Sequence, residues 1–374
     1  MKKFSVGVIG WGFMGRTHAQ ALRSMAMFYP NCGFETELKC VCTRREEKAK
    51  EAARLAGFEG WTTDYREMLA TPEIDVVSIC TPNAAHEEMA IAALRAGKHV
   101  CLDKPVAVDG GSALRIAAAA EASSGRTRVL FHNRYYPGTL RMKQLIDEGR
   151  IGRIMEFEAR YQHSGSVDPE KPVGWKQMQT GGALLDMGSH VLDLITWLLG
   201  YPVRAMCRTR RLYAQRPLIG GGMTDALGDD YVTMTLEMPD GALGTVMASK
   251  IATGSNDDLI LDIRGEKGAL RWNLMQPNYL EYYDATAQGS PYGGLRGYTS
   301  IETVARYEAT GGCLLPPKNA LGWDCGHMHC YYDFLNRIAH DLPDECTVAD
   351  GARLQCLMDR LLISDSTGKW EECE

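Results

Sequence analysis

No apolar run in this chain approaches the ~18 residues expected of a membrane-spanning helix. No block of lysine and arginine stands out, and the formal net charge is -6 with both signs mixed. Nucleic acid and anionic membranes are therefore not the expected partners. Internal repeats and low-complexity tracts are lacking too. Met1-Lys2-Lys3-Phe4 leads straight into an apolar strand that a signal peptide would have to consume, so the expectation is a cytoplasmic protein. The 12 cysteines do not read as a disulfide framework. Cys40, Cys42, Cys80 and Cys101 sit inside strand-like apolar runs, where cysteine behaves as a small hydrophobe, and reduced thiols are expected. Cys325, His327, His329 and Cys330 have metal-binding chemistry but lack a second pair at zinc-finger spacing. No metal is expected there, and the cluster reads as a helix start with one polar contact to an active site.

What is present is a glycine string at the end of an apolar run. Val6–Ile9 breaks into Gly10, Trp11, Gly12, Phe13, Met14, Gly15 and then a helix-forming stretch. In G-x-G-x-x-G the first glycine allows a tight turn. The second leaves room for a pyrophosphate, and the third lets the helix pack close to the strand. Helix-start N–H groups then face the phosphates. A length of 374 residues allows two cores.

Over the first ~130 residues, strands at Phe4–Ile9, Leu38–Thr43, Val76–Thr81, His99–Leu102 and Arg128–His132 alternate with helical stretches, which implies a parallel sheet. Beyond residue 150 a helix over Gly182–Leu199 is expected. It is followed by strands at Val203–Leu212, Tyr231–Glu237, Ala242–Ile251, Leu259–Arg264 and Ala269–Trp272, some joined by tight turns. The region from about 284 to 325 reads as a long loop, and Met328–Ala339 and Val348–Ser364 as helices. The expected fold is an α/β Rossmann domain (1–130) plus an α+β domain (131–374) with a large, mainly antiparallel sheet. The C-terminal helices are free to pack back on the first domain. Covering the second face of such a sheet suggests a homodimer or homotetramer.

Two further strings carry chemistry. In Cys101-Leu102-Asp103-Lys104-Pro105 a lysine leaves a strand beside the nucleotide site, where its ammonium can bond a substrate oxygen. In Gly181-Gly182-Ala183-Leu184-Leu185-Asp186-Met187-Gly188-Ser189-His190-Val191-Leu192-Asp193, Asp186 and His190 stand four apart and share a helix face. A carboxylate beside an imidazole suits a general base near neutral pH. Gly188 costs such a helix ~1 kcal/mol, which makes sense where something must approach closely.

Together these strings resemble the Gfo/Idh/MocA oxidoreductases, the glucose–fructose oxidoreductase and inositol dehydrogenase group, over nearly the whole chain. The family string is usually Glu-Lys-Pro; Asp103 replaces the glutamate here. The resemblance implies Lys104, Asp186 and His190 as the catalytic group. His190 would take the hydroxyl proton, Asp186 would orient His190 or the substrate, and Lys104 would bind the reacting oxygen. It implies further cofactor contacts at Thr81, Asn83, His86, Asn133, Trp175 and Lys176, where lysine replaces an arginine. Arg134 and His329 are the implied substrate contacts, and Tyr161, Trp175, Tyr282 and Tyr283 are the residues that could supply aromatic surface for a sugar ring.

The chain thus reads as an NAD(P)-dependent dehydrogenase of a secondary alcohol of a sugar, glycoside or cyclitol. Alternatives are glycoside elimination through transient oxidation on tightly held NAD, and a non-catalytic cofactor-binding regulatory protein. Strand two ends in Thr43, Arg44 and Arg45 without the carboxylate an NAD ribose usually meets, which tilts the cofactor expectation slightly towards NADP.

Overall fold

The computed structural model describes residues 2–174, 177–178, 180–304 and 318–373. These form two compact units. One runs to Tyr135 and resumes from 318 to Cys356; the other takes Tyr136 to Val304 and Leu357 to 373.

The first unit is built on alternating strands and helices. In chain order they are β1 (Lys2–Ile9), α1 (Phe13–Phe28), β2 (Phe34–Cys42), α2 (Glu46–Ala56), β3 (Gly60–Thr62), α3 (Tyr65–Leu69), β4 (Val76–Ile79), α4 (His86–Arg95), β5 (His99–Leu102), α5 (Gly110–Glu121) and β6 (Thr127–Val129). All pairings are parallel, in the order β3-β2-β1-β4-β5-β6. Strand order reverses between β1 and β4, the position at which such sheets open a ligand crevice. The sheet core is aliphatic: Val6, Val8, Val76, Val77, Ile79 and Val100 are buried. β3 lies outside the expected strands, because its three residues carry too little apolar pattern to be seen.

The second unit contains α6 (Pro137–Asp147), β7 (Ile154–Gln162), a π-helical turn over Leu184–Gly188, α7 (Ser189–Leu199), β8 (Arg204–Arg210), the small hairpin β9 (Gln215–Pro217) and β10 (Met223–Asp225), β11 (Tyr231–Glu237), β12 (Leu243–Ser249), β13 (Asp258–Gly265), β14 (Gly268–Asn273), β15 (Tyr279–Asp284) and β16 (Tyr298–Glu302). The chain continues through α8 (Asp324–Ala339), α9 (Val348–Thr367) and β17 (Glu371–Glu372). A nine-stranded sheet runs β16-β15-β14-β13-β7-β12-β11-β8-β17. Every pairing is antiparallel except β7 with β12. The expected large, mainly antiparallel sheet is present. One face is a continuous core in which Phe157, Ala159, Val246, Ala248, Leu259, Leu261 and Ile263 are buried, and α7, with Val191, Leu192 and Ile195 buried, packs on β7 and β12.

Two expectations need correction. The region read as a loop from about 284 to 325 contains β16, an edge strand with almost no buried face. It is held by its ladder to β15 and by Arg271 over the Tyr298 ring, 4.4 Å from its centroid, neither of which leaves an apolar alternation. The helix expected from Gly182 to Leu199 is π-helical over Leu184–Gly188, and regular α-helix begins at Ser189.

α8 belongs to the first unit. Tyr332 stacks on Tyr29 at 3.8 Å, Tyr331 shares a 2.7 Å hydrogen bond with Ser78, and Arg128 meets Asp333 at 2.7 Å. Among the described residues no helix is long and apolar enough to cross a membrane.

Among the histidines buried in this unit are His18, His86, His327 and His329. Burial lowers each below the usual imidazole range, His329 to about 4. Unfolding frees them to bind protons that the native state refuses. Their contribution is therefore intact above pH ~6.5 and lost as pH falls towards the native value, by up to ~1.4 kcal/mol per pH unit for each histidine. Urea unfolding at successive pH values is expected to show stability falling from pH 7 to 5, and His329→Asn should flatten that slope. A midpoint independent of pH over this interval would contradict the assignment.

Candidate active site

The turn after β1 brings backbone against backbone. Gly10 has φ +100°, and a Cβ there would lie 2.7 Å from the Cys80 carbonyl oxygen. A Cβ on Gly15 would collide with the Gly10 carbonyl oxygen. Gly12 differs: nothing lies within 4 Å of its would-be Cβ. It caps α1, whose first turn holds no acidic residue. The result is an open cradle at a helix N-terminus, suited to a pyrophosphate. Phe13 is exposed beside it, 5.5 Å from the Trp323 ring, and Met14 is half-buried.

At the end of β2 the Thr43 hydroxyl donates to the Arg45 carbonyl at 2.8 Å, and Arg44 is exposed. Glu46 and Glu47 lie in the first turn of α2.

The exits of β4 and β5 are tied together by one side chain. His86 Nε2 lies 2.9 Å from the Thr81 carbonyl and its Nδ1 lies 3.0 Å from the Pro105 carbonyl. A neutral imidazole has one N–H, so the ring donates to one of these carbonyls and packs against the other, between the loop that carries Asn83 and the turn that carries Lys104. Asn83 is buried, and the Thr81 hydroxyl faces Met89 Sδ at 3.8 Å. Asp103 is buried; its Oδ1 accepts the Lys104 N–H at 2.9 Å, and Lys104 itself is half-buried. Asn133, buried, and Arg134, half-buried, occupy the short turn after β6. His329 is enclosed in the same unit. Its Nδ1 lies 2.9 Å from the Tyr135 carbonyl and its ring meets Tyr29 edge-on. His327 stacks on His132 at 3.8 Å. Among the described residues no group of three or more metal-ligating side chains is placed to hold an ion. Trp175 and Lys176 lie outside the described residues.

The second unit presents the other polar group. Asp186 and His190 are 4% and 5% exposed on a segment whose neighbours Leu184, Leu185, Val191, Leu192 and Leu194 are all buried. Tyr161 on β7 meets the His190 ring at 5.8 Å, and its hydroxyl donates to Asp257 Oδ1 at 2.8 Å. Burial and Asp257 raise the Tyr161 phenol well above its usual range, so it stays neutral. The π turn is pinned by Asp229, whose Oδ2 accepts the Leu184 N–H at 2.9 Å. A would-be Cβ on Gly188 would press on the Leu184 side chain at 3.2 Å and approach Ala248 at 3.9 Å, so the close approach there is to the unit's own core. Single π turns inside helices recur at functional sites.

Sequence reasoning missed Lys250 and Asp229. Lys250 continues the inward parity of β12 after Gly244, Val246 and Ala248, and a lysine on a buried parity is a legible signal. Asp229 carried none.

Comparison with known proteins gives the family. Residues 4–131 match the oxidoreductase family with an NAD-binding Rossmann fold, and 139–271 match the GFO/IDH/MocA C-terminal domain. A levoglucosan dehydrogenase of Pseudarthrobacter phenanthrenivorans is 32% identical over 99% of this chain and 98% of that protein. An inositol 2-dehydrogenase of Rhizobium meliloti is 28% identical over 76% of this chain and 79% of its own. A solved levoglucosan dehydrogenase in complex with NADH and L-sorbose superposes with a TM-score of 0.95 at 30% identity, covering 100% of both chains. The glycine cradle, the Asp103-Lys104 exit and the buried Asp186/His190 turn stand on a chain that belongs to the Gfo/Idh/MocA family of NAD-binding oxidoreductases.

Proposed function

We propose that this chain oxidises a secondary alcohol of a sugar, glycoside or cyclitol with a nicotinamide dinucleotide, with Lys104, Asp186 and His190 as the catalytic group. The observation that carries the reading is the burial of the Asp186 carboxylate and the His190 imidazole on one helical segment beside Leu184, Leu185, Val191, Leu192 and Leu194. Burying such groups costs stability unless they are paired, and buried titratable groups cluster at functional sites. The cofactor, when bound, supplies the hydride acceptor. Gly10, Gly12, Phe13, Met14 and Gly15 would hold its pyrophosphate, with Thr81, Asn83, Asp103, Asn133, Trp175 and Lys176 as further contacts and His86 bracing two of these loops. His190 takes the hydroxyl proton. Asp186 orients the imidazole. Lys104 holds the reacting oxygen through its ammonium. Tyr161, Arg134 and His329 are assigned to the substrate. Relatives that act on levoglucosan and inositol support carbohydrate-like alcohols as the substrate class.

A homodimer or homotetramer is supported by Leu243, Tyr279 and Tyr298, which stay exposed on the second unit's strands. Residence in the cytoplasm is supported by Cys42, Cys101, Cys207 and Cys330, which are buried as small apolar side chains.

Three variants separate the roles. His190→Ala and Lys104→Ala should each lower kcat by ~10²-fold or more, while NADH affinity changes little in His190→Ala. Near-normal turnover of His190→Ala at neutral pH would remove the base. Arg44 is exposed just beyond β2, which supports a contact with a 2′-phosphate. In Arg44→Ala, binding titrations should show NADPH weakened by about tenfold and NADH nearly unchanged. Equal losses for both cofactors would dismiss the phosphate clamp.

A further inference from the structure

Lys250 has no place in the catalytic group just described, yet it is sealed inside the second unit with a side chain only 2% exposed. Its Nζ lies 3.3 Å from Asp186 Oδ2 and donates to the Gly182 carbonyl oxygen at 2.7 Å. Its backbone is fixed as well: the Lys250 N–H donates to the Asp230 carbonyl at 2.8 Å. One ammonium thus grips both the chain entering the π turn and the carboxylate within it.

The groups around Asp186 come from four places. His190 stands one turn along the same helical segment. Tyr161 faces the site from β7, neutral and bonded to Asp257. Asp229 is committed to the Leu184 N–H, and burial raises its carboxyl above the usual range while Lys250 opposes that rise. Lys250 supplies the cation. A carboxylate in such surroundings needs an opposite charge to remain ionised.

We infer that Lys250 is a positioning residue, holding Asp186 as a fixed carboxylate in the π turn and, through Asp186, setting the orientation of His190. The inference rests on the reading of Asp186 and His190 as part of the catalytic group. It assigns Lys250 no contact with substrate or cofactor.

The test compares wild type, Lys250→Met, Asp186→Asn and the double variant, with Lys250→Arg as the charge-preserving control. Steady-state kinetics are taken from acid to alkaline pH, and NADH affinity is followed by fluorescence. Lys250→Met is expected to lower kcat by roughly tenfold or more and to move the acid limb of the profile to higher pH. NADH affinity should stay within about twofold of wild type, because Lys250 does not act on the cofactor. The double variant should be no slower than Asp186→Asn, since both changes remove one shared interaction. Lys250→Arg should recover most of the activity.

Wild-type kcat and pH profile in Lys250→Met, or losses that multiply in the double variant, would overturn the inference. Full turnover in Asp186→Asn would instead overturn the catalytic reading on which it stands. If Lys250→Met does not fold, Lys250→Gln keeps a donor for the Gly182 carbonyl and carries the same comparison.

Discussion

A buried charge must be met by an opposite one, and each unit holds such a meeting at its core. In the first, the fully buried Arg128 on β6 reaches Asp333 on α8 at 2.7 Å, and Arg337 and Tyr135 close the same group. In the second, Lys250 reaches Asp186 at 3.3 Å. Removing one partner of such a pair costs about 3–5 kcal/mol, because the survivor is left uncompensated. The partners lie far apart in the sequence, so each pair fixes long-range placement that apolar packing leaves less sharply defined. Arg128 and Asp333 tie a late helix to the first unit; Lys250 and Asp186 fix a sheet strand against a helix start.

These constraints serve placement of polar groups at element ends. Parallel strands deliver Gly10, Thr81 and Lys104 to the carboxyl edge of one sheet, because each crossover returns the chain to the same side. Close backbone approach at Gly10 and Gly15 shapes the turn, and the vacancy beside Gly12 leaves it open. His86 then braces two of the exits with one ring. In the second unit the π turn replaces ordinary helix where Asp186 stands, so the carboxylate is set by Asp229 and Lys250 as well as by helix periodicity.

Much of this was legible in the residues. The Rossmann alternation, the glycine string, the Asp103-Lys104 exit and the Asp186/His190 spacing all leave local patterns. The strands of the large sheet from Tyr231 to Trp272 do so as well, since their inward residues alternate. What was not legible depends on distant partners. β16 exists through its pairing with β15, and the π turn through Asp229. The histidines of α8 look like metal ligands in one dimension; in the fold His327 stacks on His132 and His329 meets a backbone carbonyl. Lys250 was readable in principle from strand parity, but its partner was not.

In the proposed reaction hydrogen passes directly from a carbohydrate carbon to a nicotinamide. The most direct measurement follows deuterium placed on the reacting carbon of a substrate sugar such as levoglucosan or an inositol, with oxidised cofactor in solvent of normal hydrogen. Deuterium is expected in the reduced nicotinamide recovered from the reaction. Product formed with the label lost to water, or with no reduced nicotinamide, would contradict direct transfer.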